Sequence, residues 1–249
     1  MTLYLVGLGL HDESELSIRA CGMLKGCERV YLESYTSRFN GSMERLAEIA
    51  GKEVVPLGRG DIEERPEENV LADGEVALLV LGDPLVATTH ADLMLRAKEL
   101  GIEVRIVHNS SIYSAIGETG LQLYKFGRTT TIAYPEGSYF PKSPYDVIKD
   151  NRMRGLHTLC LLDIKADEGR FMTIAEAIEL LERMEHEKMQ NQIRDDTVFV
   201  GVARLGGDTT IRAGRAADLK AFDFGGPPHC LVICGKLHEM EGEMLALYR

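Results

Sequence analysis

Apolar segments alternate with amphipathic ones along the first half of the chain. Short apolar segments predict buried strands at residues 2–7, 29–33, 53–57, 76–81 and 103–108. Apolar residues at helical spacing predict helices at residues 15–25, 43–50 and 91–100. Strands that alternate with helices are typical of βαβ units, so we predict a mostly parallel sheet.

The alternation of strand and helix patterns becomes less regular after residues 124–128. We interpret this basic, aromatic and glycine-containing segment as a hinge. Beyond it the pattern predicts strands at residues 130–134, 158–164, 198–203, 210–213 and 230–234. A helix is predicted at residues 173–188, opened by a capping box of Thr173 and Glu176. The Gly-Gly-Asp segment at residues 206–208 predicts a turn, and hence a partly antiparallel sheet.

Together these patterns predict an α/β fold of two domains. Residues 1–126 form an N-terminal domain with a mostly parallel sheet, and residues 127–249 form a C-terminal domain with a mixed sheet.

Composition narrows the class of protein. Apolar residues make up 45% of the 249 residues, charged residues 27%, and the mean hydropathy is −0.10, values typical of a soluble globular chain. The net charge of −11 opposes binding to nucleic acid or to anionic membranes. No apolar run approaches the roughly 20 residues of a membrane span, and no secretory signal precedes the first strand. We therefore expect a cytoplasmic protein that begins at Met1.

Cysteines and histidines give no metal-site spacing. The five cysteines lack a C-x-x-C pair, and we interpret them as reduced core thiols. Cys230 and Cys234 are separated in an extended run without the turn of a zinc knuckle, so they receive no role. The sequence has no Ser-His-Asp order and no H-E-x-x-H motif, which disfavours hydrolases and metalloenzymes, and we predict no metal.

Gly7-Leu8-Gly9-Leu10 follows the first strand, where a dinucleotide-binding fingerprint would begin. Asp12 stands where that fingerprint needs its third glycine, and no G-K-[ST] forms a Walker loop. Two interpretations stay open: a tight turn, or glycines that let the backbone approach a ligand without phosphate.

Two further motifs end predicted strands. Gly82-Asp83-Pro84 places an acid where open α/β sheets bind ligands, although Asp and Pro also begin helices. Ser110 and Ser111 follow the strand at 103–108, where they could cap a helix or bind a polar ligand group.

In the second half, Ala203-Arg204 and Pro227-Pro228-His229 flank predicted strands. A single histidine such as His229 is more often structural than functional.

In order and spacing, these motifs resemble the tetrapyrrole methylase superfamily of S-adenosylmethionine-dependent methyltransferases. Longer stretches look like the diphthine synthase family, and the resemblance runs from Thr2 to about Leu245. These stretches are Gly82-Asp83-Pro84-Leu85-Val86-Ala87-Thr88-Thr89-His90, Ser110-Ser111-Ile112-Tyr113-Ser114-Ala115, Tyr134-Pro135-Glu136-Gly137, Gly155-Leu156-His157-Thr158-Leu159, Leu162-Asp163-Ile164-Lys165, Pro227-Pro228-His229 and Gly235-Lys236-Leu237-His238.

The resemblance implies a homodimeric two-domain enzyme that binds S-adenosyl-L-methionine in a cleft between its domains and releases S-adenosyl-L-homocysteine. Its substrate would be translation elongation factor 2, whose 3-amino-3-carboxypropyl-modified histidine is methylated, we expect three times, to give diphthine. Cofactor-binding positions carried over by motif are Leu10, Asp83, Val86, Ser111, Ile112, Leu162, Ala203 and His229.

The sequence indicates no general base. We expect Asp83 to bind the cofactor, since its motif is shared with relatives that methylate carbon or oxygen. Dimerisation is supported in the sequence only by apolar residues of unknown facing, namely Tyr113, Ile116 and Leu121. The alternative functions are a tetrapyrrole or ribosomal RNA methyltransferase of the same superfamily, or a nucleotide-sensing binding module without activity.

Overall fold

The computed structural model describes residues 1–165 and 168–249, which form two compact units, Met1–Ala115 and Ile116–Arg249. The predicted division at residues 126 and 127 falls inside the second unit. Within the described residues, no helix is both long enough and apolar enough to cross a bilayer.

A five-stranded sheet forms the centre of the first unit. The elements are β1 (Thr2–Gly7), α1 (Ile18–Gly26), β2 (Arg29–Glu33), α2 (Met43–Ala50), β3 (Val54–Leu57), β4 (Glu75–Val80), α3 (His90–Glu99), β5 (Glu103–Val107) and α4 (Ile112–Ala115). The strand order is β3-β2-β4-β1-β5 and every pair is parallel, so the predicted parallel sheet is confirmed.

Helices cover this sheet on both faces. Leu78 of β4 packs in the same core as Leu93 of α3, whereas its neighbour Leu79 packs with Leu24 of α1. Because successive strand residues point to opposite faces, both faces must be apolar. This explains why the central strands β1 and β4 read as nearly continuous apolar runs.

The first helix starts later than the periodicity predicts. Ser17 caps α1, and its Oγ accepts the Ala20 amide at 3.1 Å. Residues Glu13–Glu15 form a separate 3-10 turn, opened by Asp12, whose Oδ1 accepts the Ser14 amide at 2.9 Å. Capping by a polar side chain decides where a helix begins, so apolar spacing alone places this start three residues too early.

The second unit has a mixed five-stranded sheet. Its elements are β6 (Thr130–Ile132), α5 (Ser143–Met153), β7 (Thr158–Leu162), β8 (Ile164–Lys165), β9 (Arg170–Phe171), α6 (Ile174–Lys188), β10 (Phe199–Ala203), β11 (Thr210–Gly214), α7 (Ala216–Ala221), β12 (His229–Ile233) and α8 (Glu239–Ala246). The order is β11-β10-β12-β7-β6, with β6 parallel to β7 and the other pairs antiparallel. The predicted mixed sheet and the turn between β10 and β11 are confirmed.

The capping box of α6 is also confirmed: Thr173 Oγ1 accepts the Glu176 amide at 3.2 Å, and Glu176 Oε2 accepts the Thr173 amide at 2.8 Å. The predicted strand at 158–164 is wrong at its end, because β7 stops at Leu162. The next residue, Asp163, turns its carboxylate to the Tyr134 amide at 2.9 Å and interrupts the ladder.

Apolar spacing does not predict α5. This helix begins with Ser143 and Pro144 and buries Tyr145 and Ile148, both 0% exposed, on a short inward face. Its remaining positions are mostly polar, so the apolar stripe is too short to indicate a helix from the sequence.

All five cysteines are free, and four of them are buried. Burial raises the pKa of the Cys230 and Cys234 thiols to about 12, which keeps both protonated at neutral pH. These thiols therefore pack as small apolar side chains.

Two of the three residues expected to support a dimer contact are not available for one. Ile116 is 1% exposed and Leu121 2% exposed, because both pack inside the chain, while Tyr113 is 43% exposed. Ile116 and Leu121 therefore give no support to a dimer contact, and dimerisation itself stays a prediction.

Candidate functional site

In the first unit, the predicted site residues follow three neighbouring strands. Leu10 comes after β1, Asp83 after β4 and Ser111 after β5, and these strands lie side by side in the order β4-β1-β5. Parallel strands end at the same edge of a sheet, where ligands of open α/β folds bind. The sheet therefore brings these three predicted positions to one edge.

Glycines let the loops at this edge meet. Gly9 and Gly82 form an isolated bridge, with the Gly82 amide 2.6 Å from the Gly9 carbonyl oxygen. Gly9 has φ +89° and Gly82 has φ +74°, conformations that favour glycine. A Cβ on Gly7 would lie 2.7 Å from the Gly82 oxygen and 2.8 Å from Cβ of Asn109. A side chain at Gly7 would force the ends of β1, β4 and β5 apart.

A carboxylate from the chain itself fills the glycine loop. Glu15 Oε2 accepts the amide of Leu10 and, at 3.3 Å, the amide of His11. Asn109 adds a second tie, since its Nδ2 donates to the carbonyls of Gly7 and Glu15, both at 3.0 Å. Backbone amides that would cradle a phosphate are thus already bound to a negative group, which argues against a dinucleotide site.

Asp83 begins a turn and not a helix. Its Oδ1 accepts the Leu85 amide at 3.0 Å, and its carbonyl accepts the Val86 amide at 3.1 Å. Its Oδ2 accepts the Asn109 amide at 3.3 Å and His108 Nδ1 at 2.7 Å. Helix α3 starts only at His90, so the alternative in which Asp83 and Pro84 open a helix is excluded.

Buried polar side chains stabilise the turn at Asp83 and Pro84. His90 is 1% exposed, and its Nδ1 lies 2.9 Å from the Pro84 carbonyl oxygen. Its Nε2 lies 3.9 Å from Oε2 of the buried Glu33. Glu33 in turn accepts the amide and the hydroxyl of Thr36, both at 2.7 Å. The end of β2 thereby supports the position of Pro84.

In the described chain, neither Ser110 nor Ser111 caps α4 with its hydroxyl, and ligand binding by these serines stays a prediction. The hydroxyl at the start of α4 that bonds backbone is that of Ser114, which donates to the Ser111 carbonyl at 3.0 Å and accepts its amide at 3.2 Å. Ser111 is 7% exposed, and Ile112 and Val86 are half-buried.

In the second unit, the remaining predicted positions also share one edge. Ala203 of β10 is the register partner of His229 of β12, and β7 lies on the other side of β12. Cys230 pairs with Leu161, so the next position along β7, Leu162, follows at the level of His229. Leu162 is 7% exposed and Ala203 0% exposed. Of these three positions, His229 presents the most accessible side chain.

His229 has one ring nitrogen that is satisfied and one that is not. Its Nε2 lies 3.1 Å from the Gly226 carbonyl oxygen, which can only accept, so Nε2 carries the proton. Its Nδ1 is buried without a hydrogen-bond partner in the described parts of the chain. Burial lowers the pKa of His229, which keeps the ring neutral at pH 7 and leaves Nδ1 as an acceptor.

Arg204 holds the loop before His229 in place. Its Nη1 donates to the carbonyls of Phe224 and Gly226, both at 2.6 Å, and its Nη2 donates to Thr210 Oγ1 at 2.8 Å. Arg204 itself has φ +50°, a strained conformation for a residue with a side chain.

Glu15 and His108 have no role in the sequence predictions, and Arg204 appears there only as the neighbour of Ala203 at the end of a predicted strand. His108 directly follows β5 at the edge where we predict ligand binding, and this position was the available signal. Glu15 and Arg204 act through contacts with loops, and spacing along the chain does not indicate those contacts.

Comparison with known proteins identifies the family of the chain. The family model described as Tetrapyrrole (Corrin/Porphyrin) Methylases matches residues 2–219. Diphthine synthases from Methanocaldococcus jannaschii and Methanococcus aeolicus are 47% and 46% identical, over 98% of this chain and 97% and 96% of theirs.

Solved structures agree as well. A crystal structure of a diphthine synthase has a TM-score of 0.89 at 37% identity, over 100% of this chain and 96% of that one. A structure from Entamoeba histolytica has a TM-score of 0.91 at 41% identity, over 99% and 98% of the two chains. These findings indicate a methyltransferase of diphthamide biosynthesis. The chain belongs to the diphthine synthases, within the tetrapyrrole methylase family.

Proposed function

We propose that the protein transfers methyl groups from S-adenosyl-L-methionine to the amino group of the 3-amino-3-carboxypropyl-modified histidine of translation elongation factor 2. Three transfers give diphthine, and each releases S-adenosyl-L-homocysteine. The observation that carries this proposal is the near-full-length similarity to diphthine synthases, at 47% and 46% identity. We further propose that the protein acts as a homodimer.

The chemistry of the residues present fits this methyl donor. His229 Nδ1 is a buried acceptor without a partner in the described chain, which suits an amino or hydroxyl group of the donor. A carboxylate offers about four acceptor positions, and Asp83 uses three of them within the chain. Its fourth position and its charge suit a cationic ligand.

The apolar positions fit a supporting role. Leu10, Val86 and Ile112 are half-buried, so they can pack against the apolar parts of the donor. The side chains of Ser111 and Leu162 are buried, and Ala203, the register partner of His229, is fully buried. Ala203 therefore contributes to the site by holding His229 in register.

When bound, the sulfonium donor supplies an activated methyl group with its own positive charge. The chain must bring the acceptor nitrogen into line with the methyl carbon and the sulfur, a positioning effect worth up to roughly 7–11 kcal/mol in favourable models. The chain must also take up the proton of the acceptor's ammonium group, because a protonated amine has no lone pair.

The test is incubation with isotopically labelled methyl donor and elongation factor 2 that carries the extended histidine, followed by mass spectrometry of the modified peptide. We expect a gain of three methyl groups on that histidine and none on the unmodified factor. A gain of one or two would correct the number of transfers. No gain on the factor, with methylation of a tetrapyrrole or of ribosomal RNA, would overturn the assignment.

A variant tests the donor contact separately. His229→Phe keeps a ring of similar shape but removes both the Nδ1 acceptor and the Nε2–H that donates to the Gly226 carbonyl. Donor affinity measured by calorimetry should fall by at least roughly 3- to 10-fold, the effect of the one hydrogen bond made by Nδ1. Unchanged affinity would remove His229 from the proposed donor site.

A further inference from the structure

The carboxylate of Asp83 and the ring of His108 meet across the end of an intervening strand. Asp83 follows β4 and His108 follows β5, while β1 lies between those strands in the sheet. Their side chains nevertheless contact, with His108 Nδ1 2.7 Å from Asp83 Oδ2. This contact is compatible with the absence of a side chain on Gly7, where a Cβ would collide with the β4 and β5 loops.

The two partners differ sharply in exposure. The Asp83 side chain is 10% exposed and the His108 side chain 66% exposed. A carboxylate accepts hydrogen bonds, so Nδ1 of His108 carries the shared proton and Nε2 is left as the basic nitrogen. Asp83 is itself fixed by the amides of Leu85 and Asn109. The ring is therefore oriented by a rigid, buried anion.

From this geometry we infer that His108 is the general base that deprotonates the acceptor amine. This inference rests on the proposed function, since it requires an ammonium group as the acceptor. His108 Nε2 takes a proton from the ammonium, and the amine then attacks the methyl carbon of the sulfonium. The new C–N bond forms as the C–S bond breaks, and the electron pair of that bond goes to sulfur, which becomes a neutral thioether.

The same base serves repeated transfers. The product of the first transfer is a secondary ammonium, and the second gives a tertiary ammonium; each must lose one proton before the next attack. His108 passes these protons to solvent, to which its ring is open. Asp83 stabilises the imidazolium that forms at each round, as the carboxylate does in other Asp–His pairs.

Other histidines near this edge are less suited to the role. His90 is 1% exposed and bound to the Pro84 carbonyl. His11 has a buried Nδ1 without a partner in the described chain, and its amide is held by Glu15. The Glu15 carboxylate is occupied by the glycine-loop amides, and the carboxylate in contact with His108 is that of Asp83.

The test compares His108→Asn with wild type in single-turnover methylation of the modified elongation factor, at saturating donor, across a range of pH. Asparagine keeps an N–H donor for Asp83 and removes the base. His186→Asn, on the exposed side of α6, is the matched control and should leave the rate unchanged. We expect His108→Asn to bind the donor normally and to lower the methyl-transfer rate at neutral pH by roughly 10²-fold.

Two measurements distinguish a catalytic base from a residue that only stabilises the local structure. The deficit of His108→Asn should shrink as pH rises, because an acceptor that is already neutral needs no base. Added imidazole should restore the rate of His108→Ala, since the vacated position is open to solvent. A deficit that is constant with pH and not rescued by imidazole would overturn the inference.

The activity of the wild-type protein distinguishes failure of the proposed function from failure of the role inferred for His108. If wild type methylates the factor and His108→Asn does so at the same rate at every pH, only the role of His108 fails. If wild type transfers no methyl group to the factor, the proposed function fails and this inference fails with it.

Discussion

Replacement of the buried Glu241 by glutamine should destabilise the second unit in a pH-dependent way. Glu241 is 0% exposed and accepts the amides of His238 at 2.7 Å and Gln122 at 3.1 Å. It also accepts Nε2–H of His157 at 3.0 Å and a hydrogen bond from the Lys125 ammonium. These contacts join the start of α8 to the segment before β6 and to the residue before β7.

The magnitude follows from the pKa of this carboxyl group. Burial alone would raise it, but the bonds from the His238 amide, Lys125, the Gln122 amide and His157 outweigh burial and lower the pKa from 4.5 to about 2. At about 1.36 kcal/mol per pH unit, this corresponds to about 3 kcal/mol of stability at neutral pH. Because the folded pKa is lowered, that stability is present above pH 5 and is lost as pH falls towards 2.

The assay is urea unfolding between pH 7 and pH 3, combined with amide hydrogen exchange of the peptide that contains α8. Glu241→Gln should lose about 3 kcal/mol at pH 7, and its difference from wild type should narrow steadily as pH falls. Glu243→Gln, exposed on the same helix, is the control and should differ little from wild type. An equal loss at pH 7 and pH 3 would refute the electrostatic reasoning, and no loss at pH 7 would refute the role of Glu241 altogether.

Three further predictions concern stability and reactivity. Gly9→Ala should lower the free energy of unfolding by about 1–3 kcal/mol, because φ of Gly9 is +89° and a Cβ there would lie 2.1 Å from Glu15 Oε2. An unchanged midpoint of urea unfolding would contradict this prediction. Lys52→Met should lower the free energy of unfolding by about 1–2 kcal/mol, because the Lys52 ammonium donates to three carbonyls at the ends of α1 and α2 at 2.9–3.1 Å. The control Lys25→Met should leave the free energy of unfolding unchanged. Ellman's reagent at pH 8 should react with native protein chiefly at the half-buried Cys21 and with all five thiols after denaturation; rapid reaction of a second native thiol would count against the packing described.

Much of the first unit could be predicted from its sequence because the local signals agree with the fold. The strand Arg29–Glu33 and the helix Met43–Ala50 have the bounds that apolar spacing predicts. Helix α5 escaped prediction because a helix that buries only one narrow face has a weak apolar stripe. Its formation depends on the core that receives Tyr145, and that core is assembled from distant strands.

The candidate site was only partly predictable for a related reason. Asp83 could be placed at a strand end from the sequence alone. Its pairing with His108 depends on the sheet order β4-β1-β5, which the sequence does not display. Motifs therefore located the edge where we propose ligand binding, and tertiary contacts determined which side chains meet there.

The carboxylate of Glu15 inside the glycine loop has a consequence for inhibitor design. A nucleotide-based compound with a phosphate directed at this loop would face a negative charge that already holds the loop amides. An adenosine analogue with a neutral or permanently cationic linker avoids that repulsion. We therefore expect compounds with a neutral or cationic linker to bind this protein more selectively than nucleotide mimics that carry a phosphate.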